Sequence, residues 1–293
     1  MYKLVAIDLD GTLLNSYGKI SDYNKEALLK AQERGVKVVL SSGRPIASVK
    51  SFAQNIGAKD YIICGNGAIL YDLKNEKIAY GDYIDKNKVL KLIKICDENS
   101  IYYSVYTDKL ILTKSLSYNI KVFNYENLDK PEDKKTNIKI VNDIYKYIEE
   151  EKDINVLKIT ICDESKIIFN RIINIFKEIP NLSILDVSHM SRKIIKIGMQ
   201  EYKIEYYYTE ITNENVNKWK AIERLINIEN IAREETVGIG DNLNDKEMIQ
   251  NSGLGILMEN SDPKMKEYTD VMTDDNNNDG VGKAIYKYVL NEQ

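Results

Sequence analysis

The alternation of strand-like and helix-like segments at the start of the chain constrains its fold most strongly. Residues 4–7 form a short, wholly apolar run, as expected for a strand that is covered on both faces. Two further strand-like runs follow at 36–40 and 61–64, and a segment with helical spacing of apolar residues precedes each of them. This succession of strands and helices predicts a parallel sheet with right-handed crossovers.

The alternation stops in the middle of the chain and later resumes. Between about residues 83 and 211, several strand-like segments follow one another without a helix between them, which predicts a mixed or antiparallel sheet. We therefore expect an α/β fold: a Rossmann-like parallel-sheet core, formed by residues 1–83 and 211–293, into which residues 84–210 are inserted as a separate α+β domain. The length of 293 residues suits two moderate domains.

Composition gives no reason to expect a nucleic-acid or membrane partner. Lys plus Arg number 41 and Asp plus Glu number 45, so the chain lacks the basic excess that nucleic-acid binding usually needs. No apolar run is long enough to cross a membrane, and Asp8 and Asp10 interrupt the place where a signal peptide needs its apolar stretch. We expect a cytoplasmic protein without nucleic-acid or membrane partners, and the sequence leaves its oligomeric state open. The three cysteines form neither a disulfide framework nor a zinc pattern, and His189 stands alone in the inserted segment.

Three polar clusters follow predicted strands of the core. They occupy residues 8–12 (DLDGT), 41–44 (SSGR) and 240–245 (GDNLND), and Lys218 begins a predicted helix just upstream of the third cluster. Ligands of open parallel sheets bind beyond the carboxyl ends of the strands. The sequence therefore predicts that these clusters meet at one edge of the sheet and form a polar site there.

The acidic residues of these clusters are suited to binding a metal ion. Asp8 and Asp10 are two residues apart, so their side chains point the same way from an extended backbone. Two such carboxylates repel each other unless a cation lies beside them, and Mg²⁺ typically takes one or two carboxylates together with phosphate oxygens. Asp241 ends a strand and could complete the site, whereas Asn244 and Asp245 could also serve as caps of the next helix.

The remaining polar residues are suited to binding an oxyanion. Ser42 and Gly43 offer a hydroxyl and backbone N–H groups just before a predicted helix, an arrangement that binds phosphate well. Arg44 could reach a phosphate or an anionic leaving group, and Lys218 could balance the charge of a phosphoryl group in transfer. Together the clusters predict phosphoryl chemistry at the sheet edge.

In this combination the clusters resemble the motifs of the haloacid-dehalogenase superfamily of phosphohydrolases, in particular its Cof-type branch with a subfamily IIB cap of the C2 type. Residues 8–14 (DLDGTLL) look like the first motif and residues 42–44 (SGR) like the second. Lys218 stands where the third-motif lysine belongs, and residues 240–245 look like the fourth motif, G-D-x-x-N-D. Residues 64–68 (CGNGA) are similar to the N-G-A turn of the branch.

The resemblance implies a Mg²⁺-dependent phosphatase that hydrolyses small phosphorylated metabolites, either sugar phosphates or phosphorylated cofactors, through an aspartyl-phosphate. It implies that Asp8 is the nucleophile and that Asp10 is the general acid and then the general base. It also implies that Asp8, the backbone carbonyl of Asp10 and Asp241 bind Mg²⁺, and that Asp245 orients Lys218 or a metal-bound water. The implied phosphate-binding groups are Ser42, Gly43, Lys218, Asn244 and the backbone N–H of Leu9.

The chain departs from the family pattern around its third motif. The usual G-x-S-K-G reads NVNKW at residues 215–219, so Trp219 replaces a small residue and we expect different local packing. The inserted domain corresponds to the family's cap, and we expect it to close over the site and to select the leaving group. Since the core clusters account for one phosphate only, discrimination between substrates must come from elsewhere.

Three alternative functions remain open from the sequence. A phosphomutase of the same superfamily would transfer the phosphoryl group to a sugar hydroxyl instead of water, and the sequence barely separates the two activities. A metabolite-binding regulator on this fold would be non-catalytic, but its acidic residues and Lys218 are intact. A signalling receiver domain also uses an acidic cluster and a lysine, although it has neither the large insertion nor the motif at residues 8–12.

Overall fold

The computed structural model describes residues 1–132, 135–185, 191–197 and 200–292. The elements before the insertion are β1 (Leu4–Ile7), α1 (Asp22–Glu33), β2 (Lys37–Ser41), α2 (Ile46–Asn55), β3 (Tyr61–Cys64), β4 (Ile69–Asp72) and β5 (Lys77–Gly81). The elements of the insertion are α3 (Lys86–Glu98), β6 (Tyr102–Thr107), β7 (Ile111–Thr113), α4 (Tyr118–Glu126), β8 (Ile138–Ile140), α5 (Ile144–Glu150), β9 (Val156–Asp163), α6 (Lys166–Lys177), β10 (Leu182–Ile184), β11 (Ser191–Ile197) and β12 (Gln200–Asn213). The elements after it are α7 (Lys218–Glu229), β13 (Thr236–Gly240), α8 (Lys246–Asn251), β14 (Leu254–Met258), β15 (Met272–Thr273) and α9 (Gly280–Ala284).

The chain divides into two units. One contains residues 1–81 and 216–293, and the other contains residues 82–215. The sequence predicted a change from core to insertion after residue 83 and a return at residue 211. We use "core unit" for the first and "inserted unit" for the second. Among the described residues, no helix combines the length and the apolar composition that a membrane span requires.

The core unit contains an eight-stranded sheet in the order β15-β14-β13-β1-β2-β3-β4-β5. Neighbouring strands from β15 to β3 are parallel, which confirms the predicted parallel core. All four residues of the central strand β1 are buried, since helices and neighbouring strands leave it no solvent-facing side. This arrangement brings the carboxyl ends of β1, β2 and β13 side by side.

Two strands at one edge of this sheet were not predicted. β4 and β5 pair antiparallel with β3 and with each other. Only residues 65–68 connect β3 to β4, which is too short for a crossover, so the chain must reverse. Asn66 at φ 58° and Gly67 at φ 101° make the reversal. A Cβ atom on Gly67 would lie 2.1 Å from the carbonyl oxygen of Asn217, so glycine lets this turn pack against the start of α7.

The ends of the core helices follow from local residue types. Ser21 caps α1 by accepting a hydrogen bond from the N–H of Asn24. Pro45 precedes α2 as its N-cap. After α9 the chain continues into a π-helical turn at Ile285–Leu290. Trp219 is buried in one apolar cluster with Ile222 and Leu225, so the unusual third motif is accommodated by burying the indole.

The inserted unit contains a mixed sheet in the order β10-β12-β9-β6-β7-β8, with β11 paired to β12. β7 and β8 are parallel and the other neighbours are antiparallel. One buried cluster joins side chains of α3, α5 and α6 to alternate residues of β6 and β9 such as Val105 and Ile159. The amphipathic helices thus cover one face of this sheet. His189 lies outside the described residues.

Candidate active site

The predicted polar clusters meet at the carboxyl ends of three neighbouring parallel strands. Asp8 follows β1, Ser42 follows β2 and Asp241 follows β13, and β1 pairs with both of the other strands. Lys218 is the first residue of α7, which Asn217 caps by accepting from the N–H of Lys220 at 2.9 Å. The sheet topology therefore gathers residues that are more than 200 positions apart in sequence.

Lys218 lies at the centre of this arrangement. Its side chain is fully buried, and its Nζ donates to Oδ1 of Asp8 and to Oδ1 of Asp245, both at 2.5 Å. The other oxygen of Asp245 accepts from the backbone N–H groups of Asp241 at 3.0 Å and Asn242 at 3.1 Å. Asp245 thus fixes both the ammonium group of Lys218 and the loop that presents Asp241.

Asp241 is held from the opposite side by the loop after β1. The hydroxyl of Thr12 donates to Oδ1 of Asp241 at 2.6 Å. Gly11 has φ 87°, and a Cβ atom at this position would lie 2.4 Å from Oδ2 of Asp241. Only glycine therefore lets the two loops approach closely. Among the described residues, no group donates a hydrogen bond to Oδ2 of Asp8 or to Oδ2 of Asp241.

The electrostatics of the cluster favour a bound cation. Burial, together with the carboxylates of Asp245 and Asp10, raises the pKa of Asp8 to about 7, although Lys218 opposes the shift. Burial, and then Asp8 and Asp245, raise the pKa of Asp241 well above its usual range. Burial lowers the pKa of Lys218, but Asp245 and Asp8 outweigh it, so the net shift is upward and the ammonium form is kept. Three carboxylates, those of Asp8 and Asp245 buried and that of Asp241 half-buried, face one ammonium group, which leaves excess negative charge.

The donor set fits a hard divalent cation. Oxygen atoms of Asp8, Asp241 and Asp245 lie within 4.8 Å of one another. Both oxygens of Asp245 are already engaged by Lys218 and the backbone, so Asp8 and Asp241 are the carboxylates best placed as ligands. Carboxylate oxygens are ligands that Mg²⁺ accepts, and a divalent charge would relieve the excess found here. The residues therefore fit the cation site that the sequence predicted.

The side chain of Asp10 does not belong to this cluster of carboxylates. Its two oxygens accept from Arg44, Oδ2 from Nε at 2.7 Å and Oδ1 from Nη2 at 2.8 Å. Arg44 was predicted to contact a phosphate or a leaving group, but the structure pairs it with Asp10. The predicted role of Asp10 as a metal ligand involves its backbone carbonyl, and it stays a prediction.

Three of the predicted phosphate-binding residues, Ser42, Gly43 and Asn244, lie around the turn at Asn66. The hydroxyl of Ser42 accepts from the N–H of Arg44 at 3.2 Å, and the N–H of Asn66 donates to the carbonyl of Ser42 at 3.0 Å. Asn244 donates from Nδ2 to Oδ1 of Asn66 at 3.1 Å. A Cβ atom on Gly43 would lie 2.9 Å from that same oxygen. Asn66 therefore joins the second and fourth motifs.

Leu9 separates the two acidic residues of the first motif. Its side chain is fully buried. Its carbonyl accepts from the N–H of Leu14 at 2.9 Å and from the N–H of Thr12 at 3.3 Å. The side chain thus anchors the loop in the core. The predicted contact of its N–H with phosphate stays a prediction.

Sequence reasoning missed four residues that support the site. Two of them, Thr12 and Asn66, are described above. Asn260 donates from Nδ2 to the carbonyl of Gly11 at 2.8 Å, and Asn276 donates from Nδ2 to the carbonyl of Leu14 at 2.7 Å. The N–H of Asn276 also donates to Oδ1 of Asn260 at 3.1 Å. Only the run of Asn and Asp at 274–279 hinted at this clamp in the sequence.

Curated relatives share this chain's whole length. The phosphatase YwpJ of Bacillus subtilis is 30% identical, and the match covers 98% of this chain and 100% of the relative. The 5-amino-6-(5-phospho-D-ribitylamino)uracil phosphatase YcsE of the same organism is 27% identical, and the match covers 98% of this chain and 96% of the relative. The similarity therefore includes the core unit and the inserted unit alike.

Solved structures extend the likeness to the fold. A haloacid dehalogenase-like hydrolase from B. subtilis matches with a TM-score of 0.80 and 26% identity, over 98% of this chain and 100% of that one. The subclass IIB sugar phosphatase BT4131 matches with a TM-score of 0.76 and 21% identity, over 98% and 99% of the two chains. The predicted α/β fold, with a parallel-sheet core and an inserted α+β unit, is confirmed.

The sequence model of the haloacid dehalogenase-like hydrolase family matches residues 5–285 of this chain. The chain belongs to this family, and its phosphatase relatives make it a phosphoric monoester hydrolase.

Proposed function

We propose that this chain is a Mg²⁺-dependent phosphatase that hydrolyses small phosphorylated metabolites through an aspartyl-phosphate on Asp8. One observation carries the proposal: the ammonium group of Lys218 lies between Asp8 and Asp245, and the carboxylates of Asp8, Asp241 and Asp245 converge within 4.8 Å. This cluster has a nucleophile, a fixed positive charge and an excess of hard oxygen ligands. Phosphoryl transfer needs these elements of positioning and charge neutralisation most.

In the first step, Asp8 attacks the phosphorus atom. Lys218 holds Oδ1 of Asp8, so Oδ2 is the oxygen available to form the new bond. The bond between phosphorus and the ester oxygen breaks, and Asp10 donates a proton to the departing alcohol. The transferring group lies against the hydroxyl of Ser42, the backbone N–H groups of Gly43 and Leu9, and the side chains of Lys218 and Asn244.

In the second step, water hydrolyses the aspartyl-phosphate. Asp10 has given up its proton and accepts one from the attacking water, so one carboxyl group serves both steps. The bond between phosphorus and Oδ2 of Asp8 breaks, and inorganic phosphate leaves. Lys218 keeps its contact with Asp245 throughout and therefore stays in place as charge moves on and off Asp8.

Asp8 through Oδ1, which can accept from Lys218 and still bind a cation, Asp241 and the backbone carbonyl of Asp10 would hold the Mg²⁺ ion. When bound, the ion supplies positive charge that offsets the repulsion between the phosphate and the carboxylates. The raised pKa values of Asp8 and Asp241 support this assignment, because both shifts arise from burial and from neighbouring carboxylates. Asp245 orients Lys218 and the loop after β13.

The substrate is a small phosphorylated metabolite, such as a sugar phosphate or a phosphorylated cofactor. The activity for which the relative YcsE is named, on a phosphoribitylamino-uracil, supports this class. The core unit provides groups for one phosphate, so we assign the selection of the leaving group to the inserted unit. A cytoplasmic location, where such metabolites occur, is part of the proposal.

Release of inorganic phosphate tests the proposal directly. The purified chain is assayed with 4-nitrophenyl phosphate and with a panel of sugar phosphates and phosphorylated cofactors, with Mg²⁺ and with excess chelator. We expect steady phosphate release that requires Mg²⁺ and needs no sugar bisphosphate. Transfer to a second sugar hydroxyl, or a requirement for a bisphosphate, would indicate a phosphomutase. Tight metabolite binding without turnover would indicate a regulator.

The variant Asp8→Asn identifies the nucleophile in the same assay. The amide keeps the shape of the side chain but removes its nucleophilicity, so we expect activity to fall by on the order of 10⁴-fold or more. Asp60→Asn is the matched control, since Asp60 pairs with Lys37 on the surface of the core unit. Activity of Asp8→Asn within tenfold of the parent would exclude Asp8 as the nucleophile.

A further inference from the structure

We infer that Arg44 is the positioning residue of Asp10 and acts on the reaction through that carboxylate, not as a direct ligand of the substrate phosphate. The inference rests on the proposed function. It assigns to Arg44 a role different from the one that the sequence predicted. Three features of the core unit lead to it: the geometry of the ion pair, the anchoring of the guanidinium group and the distribution of charge.

The ion pair has the two-pronged geometry that fixes a carboxylate in orientation. Nε and Nη2 of Arg44 donate to different oxygens of Asp10, at 2.7 and 2.8 Å. Parallel hydrogen bonds of this kind fix the plane of the carboxylate as well as its position. A lysine at position 44 could supply the charge but not the fork.

The guanidinium group is itself anchored, so it can hold Asp10 in place. Nη1 of Arg44 donates to the hydroxyl of Ser48, a fully buried residue of α2, at 3.2 Å. The ring of Phe52 lies 5.4 Å from the guanidinium carbon. The side chain of Arg44 is 10% exposed, whereas that of Asp10 is 41% exposed. The arginine is thus the fixed member of the pair and Asp10 is the member that is held.

The backbone at Arg44 is fixed as well. Its N–H donates to the hydroxyl of Ser42 at 3.2 Å, and its carbonyl accepts from the N–H of Gly65 at 3.2 Å. These bonds tie the Ser-Gly-Arg turn to the turn after β3. The position from which the guanidinium group reaches Asp10 is therefore set by two elements of the core.

The charges separate the roles of the two cations at the site. Lys218 faces Asp8 and Asp245, and the buried carboxylates around it still outnumber it. The charge of Arg44 is balanced by Asp10 in a close pair. The donors of Arg44 that face Asp10 are taken up by that carboxyl group, so removing the arginine would free the group that exchanges protons with the substrate and with water.

A double-mutant cycle tests this assignment. Arg44→Met is measured in the parent and in an Asp10→Asn background, with 4-nitrophenyl phosphate in single-turnover and steady-state experiments and with inorganic phosphate as the competitive inhibitor. In the parent we expect kcat to fall by on the order of 10²-fold, as when general acid–base catalysis is lost. In the Asp10→Asn background we expect a change of no more than about twofold, because the route of action is already removed.

Inhibition by inorganic phosphate measures phosphate binding separately from kcat. A merely structural role of Arg44 would weaken both, whereas a positioning role lowers kcat alone. We expect the inhibition constant of inorganic phosphate to stay within about twofold of the parent in Arg44→Met, in line with independent sites. Equal losses of kcat in both backgrounds, together with weaker phosphate inhibition, would overturn the inference and make Arg44 a phosphate ligand. A parent chain without phosphatase activity would instead overturn the proposed function.

Two further variants keep the test decisive. Arg34→Met is the matched control, because Arg34 pairs with Glu292 in the same unit, and we expect its kcat and phosphate inhibition to equal those of the parent. If Arg44→Met does not fold, Ser48→Ala replaces it in the cycle, since it removes only the anchor of Nη1. We then expect a smaller loss of kcat that disappears in the Asp10→Asn background. A loss of the same size in both backgrounds would contradict the inference.

Discussion

The core unit and the inserted unit each contain a buried lysine paired with a carboxylate, but the two sites differ in their balance of charge. In the core unit, Lys218 donates to Asp8 and Asp245, and the carboxylate of Asp241 lies beside them. In the inserted unit, Lys158 donates to Glu210 at 2.6 Å, and its Nζ lies 4.6 Å from the centre of the Tyr106 ring.

The comparison separates the buried charge that we propose to be catalytic from a structural one. At Lys158 the cation meets a partly buried carboxylate across paired strands and an aromatic face. At Lys218 three carboxylates crowd one ammonium group, and the fold keeps them there although burial raises the pKa of two of them. Such crowding of carboxylates lowers the stability of the fold. It is typical of sites where a bound cation and a substrate interact with these groups.

The largest expected difference is in activity between Lys218→Met and Lys158→Met. Each change leaves a carboxylate without its ammonium partner, so we expect each to lower the free energy of unfolding by about 3 kcal/mol. Activity on 4-nitrophenyl phosphate should fall by on the order of 10³-fold for Lys218→Met alone, since only this lysine stabilises the transferring group. Urea unfolding and steady-state kinetics measure both quantities. A comparable loss of activity in a folded Lys158→Met would remove the distinction.

The carboxylates around Lys218 in the core unit should also account for the dependence of activity on Mg²⁺. We expect excess chelator to abolish activity, Mg²⁺ to restore it and Ca²⁺ to inhibit, because Ca²⁺ takes more ligands at longer distances and distorts the in-line geometry. Asp241→Asn removes one ligand charge and should raise the Mg²⁺ concentration needed for half-maximal activity by about tenfold or more. Asp60→Asn serves again as the control. An unchanged Mg²⁺ requirement in Asp241→Asn would place the ion elsewhere.

Stability without metal should depend on pH through Asp8. Its pKa is raised to about 7 in the folded chain from its ordinary value of 3.8. Between these values the folded state keeps a proton that the unfolded state has released, so the free energy of unfolding falls as pH rises from about 4 to about 7. Urea unfolding at pH 5, 6 and 7.5 with chelator measures the slope. Asp8→Asn should make the slope smaller, with the raised pKa of Asp241 accounting for what remains. An identical slope in the variant would refute the assignment.

The smallest expected effect concerns the clamp on the loop after β1. Asn276→Ala removes the hydrogen bond from Nδ2 to the carbonyl of Leu14, so we expect the free energy of unfolding to fall by about 1 kcal/mol. The loop carries Gly11 and Thr12, which contact Asp241, so kcat should fall modestly with it. Asn278→Ala is the matched control, because the exposed Asn278 bonds only to Asp275 among the described residues. Equal effects of the two changes would show that the clamp does not support the site.

Much of the core could be predicted from the sequence, because its signals are local. The apolar run of β1 and the cap at Ser21 are each visible within a few residues. The convergence of Asp8, Lys218 and Asp241 followed from one rule about strand ends, since each residue adjoins a predicted strand or helix start. These predictions needed no knowledge of side-chain packing.

The parts that could not be predicted depend on contacts between distant segments. Nothing near Arg44 in the sequence shows that it pairs with Asp10, which lies 34 residues earlier. The clamp by Asn276 connects residues 262 positions apart. The reversal at Asn66 was missed because the Gly-Asn-Gly turn ends the run of alternating strands and helices, and the following strands pair antiparallel. In each case tertiary packing, and not local propensity, decides the structure.

Rapid acid quenching tests most directly the claim that the overcrowded cluster of the core unit is the catalytic centre. The chain is mixed with substrate and Mg²⁺, quenched within the first turnover, digested and analysed by mass spectrometry. We expect one phosphoryl group on the peptide that contains Asp8, none in Asp8→Asn, and release of the group in alkali as for an acyl phosphate. A phosphoryl group on any other residue, or full turnover without a phosphorylated chain at any time, would contradict the account.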